Sequence, residues 1–324
     1  MITTDKKYNI LMIGKPGGNL KRTYEWHIEA LNLDKLKRYN VECIHEKNTN
    51  NFSIKKYDIF WFYAKAFHPS LYLEIKKQRP DAKIICGPNI TLDKPDVGIS
   101  DEWDNWYLNY CYPDLHLDQV LFYSNHVKKF LNEKTKKVAK CLDKCLKINN
   151  NFYNKDEEKI YDCLVYSKKR RYDKNFEDFR YDLIDLLEKN NIKFCEVAAG
   201  KFGNYKREDY FDLLNKSKVL VNLSLDECPG ILNYESMFFN VPVIGSKHNV
   251  PITSAPELHV TDSDYMTENY LVRPKNSAAK YFKKIVQFLN DELTLSIKNH
   301  RSWILNHTSY ENYCNNVTRL IEDI

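Results

Sequence analysis

The sequence predicts an α/β protein built of two doubly wound halves. Three observations predict it. Short apolar runs of strand length alternate with longer stretches of helical length, the pattern of parallel βαβ units. The alternation is interrupted by the polar stretch Asn149-Asn-Asn-Phe-Tyr-Asn-Lys-Asp-Glu-Glu158, which reads as an interdomain linker, and then restarts. A chain of 324 residues also has the length of two ordinary domains.

In the first half, Tyr8 to Gly14 reads as a buried strand, Pro16-Gly17-Gly18-Asn19 as a turn, and Arg22 to Leu36 as a helix. Val41 to His45 and Tyr57 to Tyr63 are the next strands, followed by a helix through Tyr72 to Lys77. Lys83 to Gly87 and Val120 to Ser124 are further strands, and a lysine-rich helix is expected from about Asn125 to Leu146. In the second half the strands are Asp162 to Ser167, Lys193 to Gly200, Val219 to Ser224, Val241 to Gly245 and a short one at Tyr270 to Pro274. Helices at Phe176 to Asn190, Arg207 to Lys216 and Ile231 to Phe239 alternate with them. Two more, Ser277 to Leu289 and Asp291 to Leu305, precede an amphipathic segment from Ser309 to Ile324. The expected domains are 1–150, 151–306 and a C-terminal helix at 307–324 that returns to the first half.

Composition excludes some function classes. Apolar residues make up 43% and charged residues 29%, values of an ordinary globular protein. No apolar run approaches the ~18 residues of a membrane span. Met1 to Lys7 leads straight into a strand-like run, unlike a signal peptide, so a cytoplasmic location is expected. The nine cysteines are scattered, and Cys141 and Cys145 fall one helical turn apart with no further ligands at zinc spacing. They read as free thiols of a reducing compartment. A net charge of +5 permits an anionic substrate, a membrane surface or nucleic acid and selects none of them.

The stretch with most chemical content is Leu225-Asp-Glu-Cys-Pro-Gly-Ile-Leu-Asn-Tyr-Glu-Ser-Met237, just before the apolar run Val241 to Gly245. It sets Glu227 and Glu235 around a Pro-Gly turn and a helix start. An ionised carboxylate only accepts hydrogen bonds, so it suits a ligand rich in hydroxyls, a sugar or a ribose. A helix N-terminus beside it suits a phosphate. Together these groups describe a nucleotide sugar. The basic run Tyr166-Ser-Lys-Lys-Arg-Arg-Tyr-Asp-Lys174 follows the first strand of the second half and supplies compensating charge. Asp262-Ser-Asp264 has the form of a metal-holding pair but sits late, in a polar loop, and is read as a decoy; no metal is expected. In the first half, Gly17 and Gly18 permit close backbone approach to a ligand but lack the full dinucleotide-binding pattern. His68 follows a strand. The basic helix 127–146 is read as a core-packed helix with a solvated face, with contact to an anionic membrane as its alternative.

Ser224-x-x-Glu227-x-x-Gly230-x4-Glu235-Ser-Met, with Asn240-Val-Pro-Val-Ile-Gly-Ser after it, resembles the E-x7-E signature of retaining GT-B glycosyltransferases of family 4. The likeness extends to Glu208 through Ser224, to Gln287-Phe-Leu-Asn-Asp-Glu and to His307-Thr-Ser-Tyr-Glu-Asn-Tyr, and covers roughly residues 160–324. It implies a GT-B fold, two Rossmann-like domains facing a cleft, with the acceptor on the first and the donor on the second. It implies that Glu235 binds the donor ribose and that Glu227 contacts the transferred sugar. Gly230, Ile231 and Leu232 would offer backbone N–H groups, with Ser224 nearby. Lys169 and Lys174 would hold the diphosphate, with Arg170 or Arg171 as substitutes. Cys228 and Pro229 depart from the family's usual residues, as does Asn89 where members often carry a His; His68 is then the candidate on the acceptor side. The resemblance implies a hexosyl transfer to a hydroxyl of a glycan, lipid or protein-linked glycan, without a cofactor. Rival expectations are a nucleic-acid-directed transferase, a non-catalytic nucleotide-sugar binder, and a GT-B epimerase or phosphorylase.

Overall fold

The computed structural model describes residues 7–14, 19–45, 48, 52–63, 69–89, 118–122, 137–169, 175–199, 203–224, 230–246, 255–260 and 276–324. The chain forms two compact units, Met1–Lys147 with His307–Ile324, and Ile148–Asn306.

The first unit holds a six-stranded, all-parallel sheet: β1 (Tyr8–Gly14), β2 (Tyr39–His45), β3 (Ile59–Phe62), β4 (Lys83–Asn89), β5 (Gln119–Phe122) and β6 (Ala139–Cys141), in the order β2-β1-β3-β4-β5-β6. Ile10 to Ile13 and Phe60 to Phe62 are fully buried as continuous runs, as strands covered on both faces require. Leu11, Ile13, Phe60, Phe62, Ile84 and Cys86 make one core with Tyr72 and Ile75 of α2 (Pro69–Gln78). α1 (Asn19–Asn32) follows β1, and Gly14 at that strand's end lies so close to Tyr24 that a β-carbon would stand 2.7 Å from its ring.

The second unit holds a five-stranded, all-parallel sheet: β7 (Tyr161–Lys168), β8 (Phe194–Ala199), β9 (Ser217–Asn222), β10 (Val243–Ser246) and β11 (His259–Val260), in the order β11-β10-β9-β7-β8. Its helices are α3 (Phe176–Lys189), α4 (Arg207–Asn215), α5 (Ile231–Phe238), α6 (Ser277–Leu289) and α7 (His300–Thr308), whose last two residues lie in the other unit. Successive side chains of a strand point to opposite faces. Cys163, Val165, Val219, Val221 and Leu223 therefore share one face, packed with Phe179 and Leu183 of α3 and Tyr281 and Ile285 of α6. Asn222 points the other way, and its Nδ2 donates to Asn233 Oδ1 of α5 at 2.9 Å.

The last helix, α8 (Tyr310–Glu322), is capped by Ser309, whose side chain accepts from Asn312 N, and belongs to the first unit. Cys314 Sγ donates to Ala30 O at 3.2 Å, the Tyr39 hydroxyl donates to Cys314 O at 3.0 Å, and Gln119 donates to Leu320 O.

Four sequence expectations change. The lysine-rich helix does not run to Leu146: 139–141 form β6, which pairs β5 at Val120↔Ala139 and Phe122↔Cys141. Strand pairing overrides helix propensity there, and Cys141 and Cys145 are not on one helix. Residues 123–136 of that stretch lie outside the described residues. The helix expected over 291–305 begins only at His300. Leu293, Leu295 and Ile297 recur with a period of two, and as an irregular strap they pack on the core under α3 and α6. The polar stretch at 149–158 is no free linker: Asn154 N donates to Asn215 Oδ1 at 3.1 Å and Arg301 reaches Asn150 at 2.8 Å. Finally, β11 joins the second sheet unforeseen, and the strand expected at 270–274 lies outside the described residues.

Candidate functional site

Strand order reverses direction at one place in each sheet, between β1 and β3 in the first and between β7 and β9 in the second. In open α/β sheets ligands bind beyond the carboxyl ends of the strands at that point. In the second sheet the point is flanked by Ser167 and Lys168, ending β7, and by Asn222, Leu223 and Ser224, leaving β9.

The end of β9 is tied down by its own polar groups. Asn222 Oδ1 accepts from Ser224 N at 2.9 Å, its Nδ2 holds Asn233, and its carbonyl accepts from the Tyr281 hydroxyl at 3.4 Å. Strand, α5 and α6 are thus fixed together at the carboxyl end of β9. Ser167 and Ser224 are both fully buried, and neither hydroxyl finds a hydrogen-bond partner among the described residues. Buried hydroxyls of this kind call for a water or a ligand.

Gly230 is the N-cap of α5 and is buried; Ile231 and Leu232 open the helix. No acidic side chain occupies that first turn, which leaves the positive end of the helix uncompensated by its own residues. Leu232 O accepts from the buried Tyr210 hydroxyl at 3.0 Å, anchoring the turn to α4.

Glu235 stands one turn further and is 2% exposed. Its Oε1 accepts from Arg207 Nε at 2.8 Å, with Arg207 Nη2 2.7 Å from the same oxygen. The guanidinium carbon lies 4.7 Å from the centroid of the Phe211 ring. The sequence reading missed Arg207. A signal was present: Arg at the first position of a helix opposes the helix dipole and so points to a specific partner.

Lys169 is drawn to the start of α3, its Nζ 2.6 and 2.7 Å from the two oxygens of Glu177. Glu177 and Asp178 sit in the first turn of that helix, where acidic side chains favour the dipole. Glu227, Arg170, Arg171 and Lys174 lie outside the described residues, as do Asp262 and Asp264.

In the first sheet, Gly17, Gly18 and His68 lie outside the described residues. Asn89 ends β4, in register with Phe122 of β5. That strand end is closely built: Gly87 has φ +110°, and its carbonyl accepts from Trp61 Nε1 at 2.8 Å. The structure therefore brings Ser224, Gly230, Ile231, Leu232 and Glu235 to one edge of the second sheet, with Arg207 added.

No family model matches the chain, and no curated protein matches it. Its fold matches solved structures. Sucrose-phosphate synthase from Thermosynechococcus elongatus is similar over 98% of this chain and 98% of its own, at 13% identity and a TM-score of 0.60. The pneumococcal O-GlcNAc transferase GtfA, in complex with UDP and GlcNAc, is similar over 86% of this chain at 13% identity and a TM-score of 0.56. TarM is similar over 81% of this chain at 14% identity and a TM-score of 0.55. The chain spans 54% and 58% of the TarM and GtfA chains. Two parallel sheets with interleaved helices and these likenesses together identify the fold as that of GT-B glycosyltransferases, with two Rossmann-like domains.

Proposed function

We propose that the chain is a glycosyltransferase that uses a nucleotide diphosphate sugar, with the donor bound by the second unit and the acceptor by the first. The observation that carries this reading is Glu235: a buried carboxylate, fixed by Arg207, beside a helix N-terminus at the switch point of the second sheet. The ribose hydroxyls would donate to Glu235. The backbone N–H groups of Gly230, Ile231 and Leu232 would face phosphate and sugar. The unpartnered hydroxyls of Ser224 and Ser167 add donors at the same edge. Similar structures were determined with UDP: GtfA with UDP and GlcNAc, and S. aureus MnaA with UDP.

The finer reading is a retaining, metal-independent transfer of a hexose to a hydroxyl of a glycan, lipid or protein-linked glycan. Lys174, Arg170 and Arg171, together with Lys169 in exchange with its Glu177 pair, would stabilise charge on the departing diphosphate. Glu227 would contact the transferred sugar, while His68, Gly17, Gly18 and Asn89 would serve the acceptor side. The leaving phosphate would help to take the acceptor's proton.

Binding of UDP-, GDP- and ADP-sugars to the wild type and to Glu235→Gln tests this. One nucleotide sugar should bind, and the substitution should weaken it about tenfold or more, the value of a hydrogen bond to a charged group. If none binds, or if affinity is unchanged, the site assignment is wrong. Transfer of the bound sugar to hydroxyl acceptors then separates an enzyme from a binder.

A further inference from the structure

The loop between β8 and α4 carries an aromatic ring to the carboxyl edge of the second sheet. Gly203, with φ +154°, turns that loop back against Ala198, whose carbonyl oxygen a β-carbon at 203 would meet at 3.5 Å. Tyr205 follows, two residues before α4 begins. Its ring centroid lies 6.2 Å from that of Tyr166, edge-on at 89°, and 5.5 Å from that of Tyr210, tilted by 57°. Tyr166 and Tyr210 are buried, 3% and 0% exposed, whereas Tyr205 is 36% exposed. The three rings form a cluster with Tyr205 as its outermost member.

The cluster stands at the switch point between β7 and β9. Tyr166 is in register with Asn222 across that strand pair, and residues in register share a face of the sheet. Asn222 holds Asn233 of α5 on that face. The Tyr210 hydroxyl donates to Leu232 O, in the first turn of α5. One inner ring thus belongs to a strand at the switch point, and the other is tied to the helix start beside it. The outer ring is held at the edge where a ligand of an open α/β sheet sits. A tyrosine ring ordered by its neighbours presents a flat apolar surface and loses little freedom when another flat group covers it. Phosphate and sugar present no such group. A nucleobase does, and every base has a π face.

Resting on the donor reading above, we infer that Tyr205 is the stacking platform for the nucleobase of the donor. The substrate class this selects is a nucleotide-activated sugar, as against a sugar diphosphate on a lipid or another carrier that lacks a base. Stacking reads the presence of a base and not its hydrogen-bonding edge, so the platform by itself excludes no base.

The test titrates UDP, GDP and ADP, with inorganic pyrophosphate as the probe that lacks a base, against the full chain. For the nucleotide that the wild type binds, Tyr205→Phe keeps the ring and should bind within about twofold of wild type. Tyr205→Leu keeps apolar contact with Tyr166 and Tyr210 but has no π face, and should bind about tenfold more weakly. Tyr205→Trp gives a second, spectroscopic reading that does not depend on the other two variants. Its fluorescence, taken as the difference from wild type, should be quenched by the nucleotide and unchanged by pyrophosphate at the same concentration. Equal affinity in Tyr205→Leu and Tyr205→Phe, or a Tyr205→Trp signal that the bound nucleotide does not quench, overturns the inference and leaves the donor reading standing. A wild type that binds none of the three nucleotides removes the donor reading itself.

Discussion

At Gly87 the backbone turns through φ +110°, and a β-carbon there would lie 2.3 Å from Leu121 O. Only glycine adopts that conformation without strain. Gly87→Ala should therefore cost about 2 kcal/mol or more, read as a lower urea midpoint; an unchanged midpoint would mean that β4 and β5 separate freely. Two histidines set a pH limit at the same scale. Burial, with the charge of Lys144 adding, pushes His27 down to about 3, and burial pushes His300 to about 4. His27 is stacked on Tyr313 at 4.6 Å between ring centroids. Both imidazoles stay neutral in the folded chain and take up protons when it unfolds. Their contribution is present above pH 6.5 and is lost as pH falls towards 4, by roughly 3 kcal/mol each. Asp143, raised by burial, acts in the opposite sense and blunts the loss. Urea midpoints should fall steeply between those pH values, and His27→Phe, with no proton to gain, should flatten the slope. An unaltered slope would remove His27 from the account.

Among the elements, α8 has the clearest energetic role. It closes one side of the first unit through the Ala30, Tyr39 and Gln119 contacts, and Asn315 Oδ1 accepts from Arg38 at 3.2 and 3.3 Å. Arg38 and Asp34 form a buried ion pair, 4% and 5% exposed. Desolvation pushes the Asp34 carboxyl up, but hydrogen bonds from the Arg38 side chain and backbone outweigh it and hold it below its ordinary value. Ending the chain at residue 306 uncovers this pair and takes the buried Tyr313, Val317 and Ile321 out of the core. Apolar side chains of this size are worth about 1.5–3 kcal/mol each when buried, more than a marginal domain can lose. Hydrogen exchange should then show the amides of β1 and β2 deprotected and those of β7 and β9 unaffected. Equal protection in both sheets would contradict the assignment of α8 to the first unit.

For the whole molecule, the division into units gives the donor reading a spatial prediction. A nucleotide sugar at about one hundred times its Kd stabilises the state it binds by about 2.7 kcal/mol. The added exchange protection should concentrate in 148–306, around β9, α4 and α5, if the second unit holds the donor. Protection confined to 7–147 would assign the donor to the wrong half.

Much of this architecture could be read from residue order. Ile10 to Ile13, Phe60 to Phe62 and Val219 to Val221 are apolar runs that only a strand buried on both faces can use, so the parallel sheets and their helices followed from local pattern. The helix start before Glu235 was legible for the same reason: its backbone chemistry is carried by neighbours in sequence. Where the sequence alone misled, partners distant along the chain decided the outcome. β6 is a strand because β5 offers an open edge, and the strap at 293–297 is irregular and not helical because the core beneath α3 and α6 accepts side chains with a period of two. Sequence determined that a carboxylate stands at position 235 of a short helix after a strand. The tertiary fold alone decided that it is buried and faces Arg207, 28 residues away. Charge pairing across elements depends on which helices a sheet brings side by side, and no local spacing records that.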